Sequence, residues 1–291
     1  MVLKIMKRMV ITVAAVSFIA MALPTMSFAQ EGQGGYGGDY YSDGGVNSGF
    51  WGLILQAGYG FGQTSYGYVI GSTTDSTLGV GPGGGFDLGV MLNLSIFAVK
   101  LNYTRASLDT LKWTLQGHDY ETNGDGNYST LDLLLGLKLF TEEEDMGYTH
   151  LYAGYRYWGV ERNVDEELID SITTGTTYKH EVTGGGWIVG FHDLSTLPLG
   201  IFSLAFNSAL WIDSAPFSSF KVDGAESNLE TLSAFGIGLD VGVGVAFEEM
   251  GFLILAGYRM DVTVTKFRLI GDDNILGAGY SLAYLSIAKE F

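Results

Sequence analysis

The sequence contains no cysteine, which excludes a disulfide framework and any thiolate metal site. It has few basic residues, 15 Lys and Arg against 32 Asp and Glu, for a net charge of −17. That balance argues against a nucleic-acid partner, which selects basic surfaces. Proline is scarce, at 4 residues, while glycine is abundant, at 43. No Gly-X-Y period runs through the glycines, so a collagen-like helix is excluded. Beyond the first 29 residues there is no apolar run of about 20 residues, the length a membrane helix needs. If this chain enters a membrane, it does so as strands. There is also no G-x-S-x-G elbow and no H-E-x-x-H pair.

What is present begins with Lys4, Lys7 and Arg8, an apolar run from Met9 to Leu23, and Ser27-Phe28-Ala29. A basic start, an apolar core and a small-x-small site predict a secretory signal peptide over residues 1–29, cut after Ala29. Residues 30–49 are rich in Gly, Tyr and Asp, including Tyr36, Tyr40 and Tyr41. They cannot build a core and read as a flexible tail, with a plug in a lumen as the alternative. The remainder of the chain after the leader, 30–291, fits one large barrel or two small domains, and the barrel reading below covers 50–291.

The stretch 232–261 shows what that remainder is. Phe235, Ile237, Leu239, Val241, Val243, Val245 and Phe247 alternate with Ala234, Gly236, Gly238, Asp240, Gly242, Gly244 and Ala246. A strict period of two is a strand. After Glu248-Glu249-Met250-Gly251 a second strand sets Phe252, Ile254, Ala256, Tyr258 and Met260 against Leu253, Leu255, Gly257, Arg259 and Asp261. One face is bulky and apolar; the other is small and carries charges. A soluble sandwich turns its large apolar residues inward. Here the greasy face reads as the outside, as in a transmembrane β-barrel.

Similar alternation recurs at 50–62, 86–93, 96–105, 128–140, 148–160, 182–194, 201–213 and 277–291. With the pair above this predicts an antiparallel up-and-down barrel of about ten strands, eight or twelve being the alternatives, each near the 9–11 residues a tilted strand needs to cross a bilayer. Links at 94–95, 141–147, 195–199 and 248–251 are short, and those at 63–85, 116–127, 161–181, 214–231 and 266–276 are long. Short turns alternating with long external loops follow the outer-membrane pattern. An Ala-Gly-Tyr triplet recurs on the first, fifth and ninth strands and places Tyr59, Tyr155 and Tyr258 on the greasy face, where an aromatic girdle would sit.

The last strand ends Tyr284-Leu285-Ser286-Ile287-Ala288-Lys289-Glu290-Phe291. With the leader and the alternation, the chain resembles the Gram-negative outer-membrane β-barrel proteins. The resemblance implies an outer-membrane location, contact with outer-membrane lipid, and insertion by a barrel-assembly machinery that reads the terminal strand through Phe291. Lys289 departs from the apolar residue usual at its position; a lysine at the membrane edge can snorkel. If Phe291 faces lipid, Tyr280, Leu282 and Tyr284 face inward, unless a bulge intervenes.

Ten-stranded barrels of this class include proteases with Asp and His at the external rim, so His192-Asp193 is a candidate; its place near a short turn puts it at the wrong end. His118-Asp119, His180, Asp213 and Asp261 lie nearer the outer end without a recognisable constellation. Asn123-x-Asp125-x-Asn127 resembles the start of a calcium loop, but Tyr128 and Leu134 stand where an EF-hand needs Gly and Glu, so a polar hairpin tip is expected. Gly81-Pro82-Gly83-Gly84-Gly85 lacks the Lys-Ser/Thr of a phosphate loop and reads as a flexible loop end. The acidic turn at 142–145 and the acidic loops 161–170 and 223–230 read as solvated. No cofactor is indicated.

Register carries the sharpest expectation. Partner numbers in a hairpin have a constant sum. If Phe140 faces Tyr148, Asp132 faces Arg156; if Phe247 faces Phe252, Asp240 faces Arg259. Both pairs fall on the inner face, with Lys100, Tyr152, Trp158 and Trp211. The expectation is a non-enzymatic barrel, structural or a narrow solute passage, whose lumen is crossed by Asp–Arg pairs. The alternatives are a surface-interaction barrel acting through acidic loops, or a secreted soluble all-β binding protein.

Overall fold

The computed structural model describes residues 52–69, 78–94, 96–115, 117–140, 148–175, 177–227, 229–269 and 272–291. The expected leader at 1–29, the expected tail at 30–49 and the acidic turn at 142–145 lie outside them. The strands are β1 (Gly52–Val69), β2 (Gly79–Leu94), β3 (Phe97–Ser107), β4 (Thr110–Leu115), β5 (His118–Phe140), β6 (Tyr148–Ile169), β7 (Ile172–Thr173), β8 (Tyr178–Pro198), β9 (Ser203–Asp213), β10 (Phe217–Val222), β11 (Ala225–Ser227), β12 (Glu230–Phe247), β13 (Phe252–Leu269) and β14 (Asp272–Glu290). A single 3-10 turn, Glu248–Met250, joins β12 to β13.

A ring runs through 10 of the strands, β1-β2-β3-β5-β6-β8-β9-β12-β13-β14, every neighbour antiparallel, and β14 pairs back onto β1. Following the pairing from Asn93 through Ala98, Gly136, Tyr152, Gly190, Trp211, Gly238, Asp261, Tyr280 and Thr64 returns to β2 at Gly81, twelve residues from the start. With strands about 4.8 Å apart and about 3.3 Å per residue, that stagger means a tilt of about 40° and a backbone-to-backbone diameter of about 20 Å. An interior that narrow is filled by side chains.

The faces follow the alternation. Outward lie Leu131, Leu133, Leu135 and Leu137 of β5, Phe86, Leu88 and Val90 of β2, and Leu285 and Ile287 of β14, all exposed. Inward lie Tyr280, Leu282 and Tyr284, all buried, and the β13–β14 and β1–β14 registers run without a shift. No bulge is needed to orient the last strand: Phe291 faces outward, and its backbone closes on Leu53 in both directions, at 2.9 and 3.3 Å. Lys289 donates to the Met250 carbonyl and lies over the Phe291 ring, so its charge is held at the end of the wall.

Several expected boundaries are corrected. The loops expected at 63–85, 116–127 and 161–181 are largely strand: β5 begins at His118, β6 continues to Ile169, and β1 and β2 run to Val69 and from Gly79. Gly81–Gly85 is part of β2, not a loop end. Asn123, Asp125 and Asn127 lie within β5, paired to β3, β4 or β6, and the tip is at Gly117 instead. Phe140 pairs with Thr149 rather than Tyr148, because the register shifts between Lys138 and Phe140. On β6 the outward apolar run ends near Tyr157, and Glu161 begins a polar extension. At about 3.3 Å per residue the 22 residues of β6 span about 70 Å. The strands therefore outrun the outward apolar band, for which about 25 Å is the usual height in a membrane barrel, and fold the long connections into ribbons beyond it.

Candidate functional site

The inward residues form three layers. At the short-turn end, Leu194, Ala205, Ala246, Leu253 and Leu255 pack together with Ala288. In the outer half a larger apolar cluster includes Tyr66, Trp158, Val182, Phe217, Phe267 and Leu276. Between them lies a charged belt, the candidate site.

Arg156 of β6 is its centre and is 2% exposed. Its Nε donates to Asp132 Oδ1 at 2.7 Å and its Nη2 to Asp132 Oδ2 at 2.9 Å, a bidentate fork. Its Nη1 donates to Asp213 Oδ2 of β9 at 3.0 Å and to Asp261 Oδ2 of β13 at 2.7 Å. One guanidinium thus ties β5 and β6 to strands across the barrel. Asp261 also accepts from Trp211 Nε1 at 3.1 Å and from Tyr128 Oη at 3.2 Å.

A second cluster surrounds Asp240. Arg259 Nε donates to Asp240 Oδ2 at 2.7 Å, and Tyr284 Oη and Asn207 Nδ2 donate to Asp240 Oδ1 at 2.6 and 2.9 Å. Arg259 Nη1 is 3.4 Å from Asp87 Oδ1 of β2. Asn207 Oδ1 is 2.7 Å from His192 Nε2, and Lys100 Nζ is 3.4 Å from His192 Nδ1. Because the ammonium can only donate, Nδ1 accepts and Nε2–H faces Asn207, which fixes one tautomer. Lys100 also lies over the Tyr152 ring. A cavity of about 90 Å³ lies among Lys100, Asn102, His192, Asn207, Asp240 and Trp211, room for a few waters and no more.

The structure brings Asp132 to Arg156 and Asp240 to Arg259 in direct register. Sequence reasoning did not join Asp213 and Asp261 to Arg156, nor Asp87 to Arg259; the inward parity of each was the available signal. His192 and Asp193 do not work together, because neighbours on a strand point to opposite faces: Asp193 accepts from Thr149 and Ser195 instead. His118 pairs with Asp170 at 2.6 Å on an exposed ribbon. There the hydrogen bonds from His118 and from the Asp119 backbone hold the Asp170 carboxyl below its usual range. His180 is buried, 3.4 Å from Tyr66 Oη. Asn123 and Asp125 bond Glu166 and Asn163 on β6. Among the described residues no group of three or more His, Asp or Glu is placed to hold a metal. Tyr59, Tyr155 and Tyr258 are exposed outward at 59%, 55% and 42%. Tyr258 falls midway along the outward apolar run of β13 between Phe252 and Val264.

No protein-family model matches the chain, and no curated protein matches it. Solved structures do. The translocator domain of the autotransporter NalP from Neisseria meningitidis is 12% identical, covers 96% of this chain and 96% of its own, and has a TM-score of 0.33. The outer-membrane protein OprG from Pseudomonas aeruginosa is 10% identical over 84% of this chain and 98% of its own, at 0.35. The transport unit of the autotransporter AIDA-I from Escherichia coli is 8% identical over 87% and 93%, at 0.38. At these identities and scores the likeness carries no argument about this chain; its closed antiparallel ring rests on its own strand pairing.

Proposed function

We propose that the chain is a non-enzymatic barrel of a Gram-negative outer membrane, exported on its leader and inserted by a machinery that reads the strand ending at Phe291. Outer-membrane lipid is the partner of its apolar outer face. Its lumen is structural, too tightly crossed to pass solutes freely. The observation that carries this reading is Arg156 held by Asp132, Asp213 and Asp261 from three other strands, with apolar layers on both sides. A guanidinium and three carboxylates so placed are costly to separate, because each charge loses its partner in a poorly solvated space.

Planar-bilayer recording of the refolded chain tests it. Conductance small or absent is expected; a large, steady conductance sinks the structural reading and leaves the solute-passage one.

A second reading is favoured by the strands themselves. β5, β6 and β8 are 23, 22 and 21 residues long, roughly twice the crossing length. The excess builds ordered acidic ribbons on one side, suited to contact with a surface partner. Loss of binding to whole cells after deletion of one ribbon, with the barrel still inserted, would identify that role.

A further inference from the structure

The wall of the ring has a gap. β9 pairs with β12 as far as Asp213 opposite Gly236, and the two halves of this hairpin meet again where Phe220 of β10 faces Ser227 of β11. Among the described residues, no ladder pair joins 214–219 to 229–235. Among the described residues, a side-chain hydrogen bond crosses, from Thr231 Oγ1 to the Phe217 carbonyl at 3.4 Å.

The neighbouring strand builds this gap. β8 carries Gly184-Gly185-Gly186, and a β-carbon at Gly186 would lie 2.0 Å from the Ser214 carbonyl oxygen, one at Gly184 2.2 Å from that of Pro216. Without side chains there, 214–216 settles against β8: Ser214 N donates to Trp187 O at 2.9 Å and Gly185 N to Pro216 O at 3.1 Å. Thr265 Oγ1 holds the Ala215 carbonyl at 2.6 Å. The segment that should lie beside β12 is drawn toward β8.

A cavity of about 360 Å³ fills the space, lined by Phe217, Phe220, Leu229, Glu226 and Glu230 with two serines. Phe217 belongs to the outer apolar core, and Phe220 and Leu229 pack on that core, so these three form the apolar part of the floor, and the rest of the lining is polar. Glu226 and Glu230 are exposed at the mouth. Among the described residues, no Lys or Arg lines the cavity. Arg268 reaches Glu230 only at 3.4 Å and is shared with Asp273 at 3.6 Å, while Lys221 stands opposite Glu226 in the β10–β11 ladder. Such exposed contacts are weak.

We propose that this opening binds a small organic cation with an aromatic body, its ammonium between Glu226 and Glu230 and its ring on Phe217, Phe220 and Leu229. Carboxylates at the rim and aromatic faces below are the two attractions an ammonium uses. The volume is at the small end of ligand sites. An anion meets two carboxylates, and a neutral apolar molecule gains only the floor. The site lies in the wall above the belt, so it stands or falls independently of lumen conductance.

The test uses the full chain refolded in uncharged maltoside micelles and titrated with benzyltrimethylammonium chloride, with benzyl alcohol as the neutral control. Saturable binding to one site is expected, weaker by about tenfold or more in the Glu226→Gln/Glu230→Gln variant and for benzyl alcohol. Leu229→Trp, which fills the floor, should abolish it. The chain has no cysteine, so Ser219→Cys supplies a single thiol at the site, and the cation should slow its alkylation. If Leu229→Trp does not fold, the exposed Glu pair and the thiol decide. No saturable binding, equal affinity in the Glu→Gln variant, or equal affinity for benzyl alcohol overturns the proposal.

Discussion

Arg156 and Asp132 face each other across β5 and β6 with both guanidinium edges engaged, at 2.7 and 2.9 Å. The remaining Nη1 reaches Asp213 and Asp261 on strands that are not neighbours of β6. The cost of losing Arg156 is therefore the cost of leaving three buried carboxylates without the cation they share.

Arg156→Met should destabilise the barrel by about 3–5 kcal/mol, the range for breaking a buried ion pair from one side. Asp132→Asn with Arg156→Met should cost less than the sum of the two single changes, because the partners share one interaction. Urea unfolding from lipid vesicles measures both; additive costs would show that the fork contributes no coupling energy.

On β12, Leu239 and Val243 point away from the lumen. Arg at either should cost about 2–4 kcal/mol in lipid, as for a charge on the midplane of a barrel face. The inward glycines are not interchangeable with alanine: a β-carbon on Gly238 would sit 2.0 Å from Trp211 Cε2. Gly238→Ala should then cost about 1–3 kcal/mol through displacement of the indole. Wild-type stability in all three variants would reverse the assignment of faces.

Two tags decide sidedness. An epitope at Asp223-Gly224, the β10–β11 turn, should be reached by antibody on intact cells, whereas one in the 3-10 turn Glu248–Met250 should not. Labelling of the second alone would turn the molecule over.

The exposed pair of Asp170 and His118 gives a pH signature. Because the folded carboxyl titrates below its ordinary 3.8, the stabilisation is complete above the unfolded value and is lost as pH falls through the folded one. NMR titration of Asp170 should give a midpoint below 3.8 that rises toward it in His118→Ala; an unchanged midpoint would assign the effect to the Asp119 backbone N–H, also bonded to Asp170.

Which residues face outward and which face inward was legible in the chain, because a strand has a period of two and the register shifts of the ring fall outside the middle of its strands. The Asp132–Arg156 and Asp240–Arg259 pairings were legible too: the second follows from Phe247 facing Phe252, and the first holds although Phe140 faces Thr149, because the shift between Lys138 and Phe140 offsets that difference before Asp132 is reached. The lengths of the strands were not. The outer halves of β5 and β6 carry polar residues on both faces, with Tyr128, Val160 and Val164 as buried exceptions, and their pairing comes from ribbons whose partners must already be in place. Nor could the meeting of Asp213, Asp261 and Arg156 be read locally: these side chains sit on β9, β13 and β6, and the twelve-residue stagger of the closed ring sets which heights coincide. Alternation is a property of one strand and register of two neighbours, both written in the sequence. A contact across the lumen depends on closure, stagger and diameter together, and these are set only when every strand has found its neighbours.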